Sequence, residues 1–178
     1  MPRRAAGTEY RVARGIVAPE LIDGALRLLH LDLLERGATA ETLAEWLWCA
    51  HWFPHLNHHQ AVVALAEALP PEWRTGTLCD PQILLQFPHV GPEPDITYHV
   101  DEEPHWAQAR HYLRIVGVPL SRWREDNGGL LVRLAEETVP VELDPGDAVM
   151  MTPDLPHSAG VNRTGSVRYG IYFRWLDQ

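Results

Sequence analysis

From Gln82 onward, Pro and Gly cut the chain into short runs rich in β-branched, aromatic and aliphatic residues, and this punctuation most limits what it can fold into. Runs at 82–87, 112–118, 129–134, 139–143, 148–151 and 167–175, with the stretch leading to His99, are too short for helices and read as strands. Upstream the period changes. Residues 9–14 alternate and suit one short strand; then Pro19-Glu20-Leu21-Ile22 starts a helix with proline in its first turn. Ile22, Leu26, Leu29 and Leu33 keep one apolar stripe until Gly37 stops it. Thr39 can cap a second helix carrying Leu43, Trp46, Leu47 and Ala50, and 61–69 reads as a third, ended by Pro70-Pro71. Helices first and short strands afterwards predict an antiparallel α+β unit with a β-sandwich or jelly roll at its centre. No internal repeat or second unit is visible, so 1–178 reads as a single domain.

A chain of 178 residues, 46% hydrophobic and 22% charged, suits one soluble globular domain with a substantial core. No apolar run approaches the roughly 20 residues that span a bilayer, so no membrane partner is expected. The start, Met1-Pro2-Arg3-Arg4-Ala5-Ala6-Gly7, has basic residues but no apolar stretch after them, and secretion is not indicated. With 15 basic and 24 acidic residues the net charge is −9, which disfavours a nucleic-acid partner bound through its phosphates. Cys49 and Cys79 are too few for a disulfide framework and lack metal-type spacing, so the expected location is a reducing cytoplasm.

The segment Ile96-Thr97-Tyr98-His99-Val100-Asp101-Glu102-Glu103-Pro104 places an imidazole and a carboxylate two residues apart after a strand-like run. On an extended backbone both project to one face, with Cα atoms about 6.6 Å apart. Two atoms on adjacent metal positions lie only about 3 Å apart, so the side chains must lean together, most easily where Asp101 begins to turn. His and Asp recur two apart by chance in many exposed loops, and two ligands are one too few. The third is sought at His157, in Asp154-Leu155-Pro156-His157, which follows the strand 148–151 and the turn Pro145-Gly146-Asp147. Two His and one carboxylate on one face of a metal leave open positions opposite, the arrangement of non-haem iron(II) oxygenases. The other His-rich stretch, His51, His55, His58 and His59, contains no carboxylate and reads as solvated or half-buried histidines at a helix junction.

The last strand alternates clearly. Val167, Tyr169, Ile171, Phe173 and Trp175 form one face, as expected against helices, and Arg168, Gly170, Tyr172 and Arg174 the other. An arginine on an inward face is costly without an anion, and a dicarboxylate held in a bidentate pair would supply one. Periodicity alone does not separate this from a solvent face whose arginines pair with surface acids.

The order His99-x-Asp101, His157, Arg168 resembles the iron(II)/2-oxoglutarate oxygenases of the phytanoyl-CoA dioxygenase type. The resemblance extends to the strand-then-helix opening near Tyr10 to Leu29, to Asp126-Asn127-Gly128-Gly129-Leu130, and to Pro145-Gly146-Asp147 before the distal His. It implies a double-stranded β-helix (a cupin-like jelly roll) with N-terminal helices packed on the major sheet. It implies Fe(II) held by His99, Asp101 and His157, 2-oxoglutarate as cosubstrate with its far carboxylate on Arg168, and Gln86 as a further cosubstrate contact. O2 would take the remaining metal position, and the outcome would be hydroxylation of a small molecule with release of succinate and CO2. Because Asp101 fills the carboxylate position, halogenation is not implied. His105 and Trp106 follow closely enough to contact substrate. No basic, Gly-rich phosphate cradle suggests a CoA ester.

Two departures from the family pattern stand out. The segment between Gly129 and Pro145 is short, and Ala159 occupies the position two after the distal His where related enzymes often carry a hydroxyl. They motivate an alternative, a catalytically silent metal-binding jelly-roll module. Arg168 and Arg174 on one face suggest another, a nucleic-acid demethylase of the same superfamily, which the acidic balance opposes.

Overall fold

The structure is a computed structural model that describes residues 9–37, 59–101 and 112–176. Strand β1 (Tyr10–Ala13) leads into helix α1 (Pro19–Glu35). Pro19 sits in the first turn of α1, and Gly37, at φ 65, follows its end. Helix α2 (Gln60–Ala68) is next; His59 caps it, its ring Nδ1 accepting the Ala61 N–H at 3.2 Å. A 3₁₀ turn (Pro71–Trp73) then leads to β2 (Thr77–Gln86). The remaining described elements are β3 (Tyr112–Pro119), β4 (Leu130–Leu134), β5 (Glu137–Val141), β6 (Ala148–Met151), β7 (His157–Ala159) and β8 (Arg168–Leu176). The second predicted helix, His51, His55, His58, His105 and Trp106 all lie outside the described residues. No described helix is long and apolar enough to cross a membrane.

The strands form two antiparallel sheets, one of five in the order β1-β6-β3-β8-β2 and one of three in the order β5-β4-β7. Strand alternation sorts the core into two layers. On one side of the larger sheet, Val116, Val118, Ile171, Phe173, Ile83 and Leu85 pack with Ile22, Ala25 and Leu29 of α1 and Val62 and Leu65 of α2. On the other side, Ile115, Val149, Met151 and Tyr172 meet Leu130, Val132 and Val141 of the smaller sheet, with Trp123, Leu143 and Leu155 between them. Polar groups on the inward face of β8 therefore enter an inter-sheet space.

Three strand expectations are corrected. The run before His99 is extended but pairs only at His99 itself, through a bridge to His157. Pro92 and Pro94 remove backbone donors just upstream, and Ile96 stays exposed, so neither hydrogen bonds nor packing extend the pairing. Second, β6, read as the strand that leads to His157, ends at Met151 as expected but belongs to the five-stranded sheet. Pro153 and Pro156 interrupt the chain, a turn closed by Leu155 N–H to Thr152 O carries it across, and His157 opens β7 in the other sheet. Third, β5 begins earlier than predicted because the two-residue turn Ala135-Glu136, with Ala135 at φ 53, sets Leu134 opposite Glu137. Leu143, predicted to end that strand, instead exchanges both backbone hydrogen bonds with Trp123.

Candidate functional site

The backbone explains why residues distant in sequence converge. His99 and His157 exchange both N–H···O bonds, at 3.0 and 2.9 Å, so they stand directly opposite and share a face. His157 is in turn opposite Val132, whose side chain lies in the inter-sheet core, so both imidazoles are directed to the inner side. Their ring centroids are 4.5 Å apart. Two residues on, the chain turns, and the Asp101 N–H donates to Pro153 O at 2.9 Å. This turn brings the carboxylate to the imidazoles, with Oδ1 at 3.6 Å from His99 Nε2 and 3.7 Å from His157 Nε2. The three donor atoms lie within 4.8 Å of one another.

The His157 ring is set up for cation binding. His157 Nδ1–H donates to the Leu155 carbonyl at 2.9 Å, which leaves Nε2 as the free lone pair on the neutral ring. Burial presses the His157 pKa below its ordinary value, the nearby Asp101 opposing it, so the neutral form is favoured. The His99 side chain, 48% exposed, forms the open edge of the cluster, whereas the Asp101 and His157 side chains are each 9% exposed.

Arg168 lies on the inner row of β8 and is 1% exposed. Among the described residues its guanidinium has no carboxylate partner and no acceptor at full hydrogen-bond geometry, and the Tyr172 hydroxyl is its polar neighbour. Burial drives its pKa down, and the Tyr172 hydroxyl, itself pushed above its usual range by burial, works in the other direction. The Trp123 ring lies 5.0 Å from Arg168 Cζ and stacks on Tyr172 at 5.4 Å. Trp123 is locked by its indole N–H donating to Tyr169 O at 3.1 Å. Gln86 is directly across from Arg168 in the β2–β8 register, and its amide donates to Gly160 O at 3.3 Å. Gly128, at φ 77, lets the 126–129 turn close over it, since a Cβ there would lie 2.5 Å from Gln86 Cγ. This end of the site is a buried cation with an aromatic wall and an amide beside it.

Residues 133–170 match the family model described as phytanoyl-CoA dioxygenase (PhyH). The likeness is to the phytanoyl-CoA dioxygenase family. The phytanoyl-CoA dioxygenase-like segment runs from within β4 to Gly170 and contains both His157 and Arg168. No curated protein matches the chain. Among solved structures it is similar to HygX from Streptomyces hygroscopicus with nickel and 2-oxoglutarate bound, at 12% identity over 96% of this chain and 83% of that one, TM-score 0.67. It is also similar to the non-haem alpha ketoglutarate dependent carbocyclase SnoK from nogalamycin biosynthesis, at 14% identity, 96% and 80% coverage and TM-score 0.62. A Pseudomonas putida prolyl-4-hydroxylase is similar at 17% identity, 97% and 90% coverage and TM-score 0.55. At these identities the likeness is one of fold.

Within this fold, His99, Asp101 and His157 are brought together, and Arg168 and Gln86 form a neighbouring pair on the same interior. Sequence reasoning missed Trp123, whose inward position depends on its bridge to Leu143. It also missed Asn162, a fully buried amide whose Nδ2 donates to Gln86 O and Ser166 O, each at 2.8 Å. Arg174, which with Arg168 suggested the nucleic-acid alternative, donates to Asp101 and Gln82. Ser158 Oγ donates to the Ala159 carbonyl at 3.3 Å.

Proposed function

We propose that the protein is an Fe(II)- and 2-oxoglutarate-dependent dioxygenase that hydroxylates a small molecule, with succinate and CO2 as coproducts, on a double-stranded β-helix scaffold. The observation that carries this reading is a buried guanidinium with no carboxylate partner among the described residues, on the same interior face as a two-imidazole, one-carboxylate cluster. Such a cation is costly unless an anion joins it, and a dicarboxylate long enough to reach both groups is the ligand this pair fits. The donor set suits iron of the non-haem type, with Oδ1 of Asp101 and Nε2 of each His as the three ligand atoms. With the metal and 2-oxoglutarate bound, O2 would be the oxidant and 2-oxoglutarate would give up two electrons as it leaves as succinate and CO2; the protein binds, orients and shields. Arg168 holds the far carboxylate, Trp123 and Tyr172 wall it from water, and Gln86 borders it. His157, fixed through Leu155, keeps its lone pair aimed at the centre, while exposed His99 marks the side from which substrate enters. Arg174 is engaged internally, which disfavours the nucleic-acid alternative.

The test is O2-dependent succinate formation by the iron-loaded protein across a panel of small-molecule substrates. The wild type is expected to form succinate and a hydroxylated product in step, and Asp101→Ala and His157→Ala to lose at least 100-fold while remaining folded. Undiminished succinate release by Asp101→Ala would remove the reading. Iron and 2-oxoglutarate binding with no succinate from any substrate would leave the silent module in its place.

A further inference from the structure

We infer that Arg174 is a positioning residue that fixes Asp101 as a ligand through one oxygen only, with Gln82 fixing Arg174 in turn; this rests on the metal-site reading above. The two oxygens of Asp101 have different surroundings. Oδ1 faces the two imidazole Nε2 atoms, at 3.6 and 3.7 Å. Oδ2 is occupied by Arg174, whose Nε and Nη2 both approach it at 2.9 Å. Arg174 Nη2 also donates to Gln82 Oε1 at 2.6 Å. The Tyr112 ring lies 5.8 Å from Arg174 Cζ.

Each part of this arrangement has a structural origin. Arg174 belongs to the inner row of β8, so it reaches the site from the rigid sheet, whereas Asp101 comes from a turn held by a single bridge and one backbone bond to Pro153. Between Cys79 and Gln82 the β2–β8 register shifts, a bulge that re-aims the strand, and Gln82 emerges where its amide oxygen meets the guanidinium. Asp101 is thereby held at both backbone and side chain. The planar fork matters, because it sets two nitrogens, Nε and Nη2, on Oδ2 at once, a fixed geometry that the single ammonium of a lysine does not reproduce. With Oδ2 committed, a cation can take only Oδ1, which keeps coordination positions open for cosubstrate and oxygen. Removing outer partners of metal ligands typically costs about 10–100-fold in metal affinity.

The experiment is an anaerobic Co(II) titration of the full chain, followed by the metal's visible absorption. It compares wild type, His157→Ala, Arg174→Met, Arg174→Lys and Gln82→Leu, with Arg174→Met repeated in the Asp101→Ala background. Arg174→Met is expected to weaken Co(II) binding about 10–100-fold and to shift the absorption bands as the carboxylate becomes free to bind through both oxygens. Arg174→Lys should restore part of the affinity but not the spectrum, and Gln82→Leu should show a smaller loss in the same direction. With Asp101 absent, Arg174→Met should change affinity less than about twofold, because the two act as one unit. Wild-type affinity and spectrum in Arg174→Met, or equal losses with and without Asp101, would overturn the inference. Should Arg174→Met fail to fold, Arg174→Lys and Gln82→Leu decide on the same readouts, wild-type affinity and spectrum in both counting against it. A wild type that binds no Co(II), or binds it equally after His157→Ala, would instead defeat the metal-site reading itself.

Discussion

Arg168 and Arg174 are six residues apart on one strand face, about 20 Å at strand rise, and their electrostatic surroundings differ in kind. Arg174 has carboxylate and amide partners, whereas Arg168 has the Tyr172 hydroxyl beside it and no carboxylate among the described residues. The wall beside Arg168 depends on Gly170, where a Cβ would meet Trp123 Cζ2 at 2.4 Å, and fully buried Trp123 has no room to retreat. Gly170→Ala is therefore expected to cost about 1–3 kcal/mol of stability by urea denaturation. It should also weaken 2-oxoglutarate binding, since the displaced indole packs over the guanidinium; unchanged stability would contradict this packing. Strand alternation made the Arg168 face legible in the sequence, but whether that face met water or protein depended on the second sheet. Trp123 and Gln82 left no local signal, because a bridge 20 residues away (143 − 123) places one and a bulge re-aims the other.

The elements around the site are tied together by residues that sequence reading assigned only to turns. Asp147, in the turn before β6, accepts the N–H of Asp144 and of Gly15, both at 2.9 Å, and a bond from Arg14 at 2.6 Å. Val17 N–H to Gly146 O, at 2.9 Å, closes the same junction between β1, α1 and β6. Burial alone would raise the Asp147 pKa, but the Asp144, Arg14 and Gly15 bonds outweigh it and hold the carboxyl below its usual value. A depressed folded value stabilises the protein above the unfolded value, about 3.9, and that contribution is lost as pH falls through the folded value. Asp147→Asn should thus destabilise by about 1–3 kcal/mol at neutral pH. In denaturation series at descending pH its deficit should shrink toward zero below the unfolded value; a deficit independent of pH would contradict the assignment. The turn itself was legible from Pro145-Gly146-Asp147, while its reach to Gly15, 132 residues away, was not.

At the scale of the whole molecule, helices cover the outer face of the larger sheet, and the two sheets enclose a space with the His-Asp-His cluster and Arg168 on its lining. The order of helices before strands, and the alternation within strands, made this layering legible, because burial on a sheet follows a period of two. Sheet membership was less so. Which sheet receives His157 depends on the turn at Pro153 to Pro156, and the run before His99 had the composition of a strand without the partners. The central claim is that the three-donor cluster and Arg168 bind one ligand from opposite ends. The most direct measurement is anaerobic equilibrium dialysis of 2-oxoglutarate, with and without Fe(II), against wild type, Asp101→Ala and Arg168→Ala. The account predicts Fe(II)-dependent binding by the wild type, weaker but measurable binding of both ligands in Asp101→Ala, and in Arg168→Ala retained Fe(II) with 2-oxoglutarate bound about 10–100-fold more weakly. Binding of 2-oxoglutarate that is indifferent to Fe(II), or undiminished in Arg168→Ala, would contradict it.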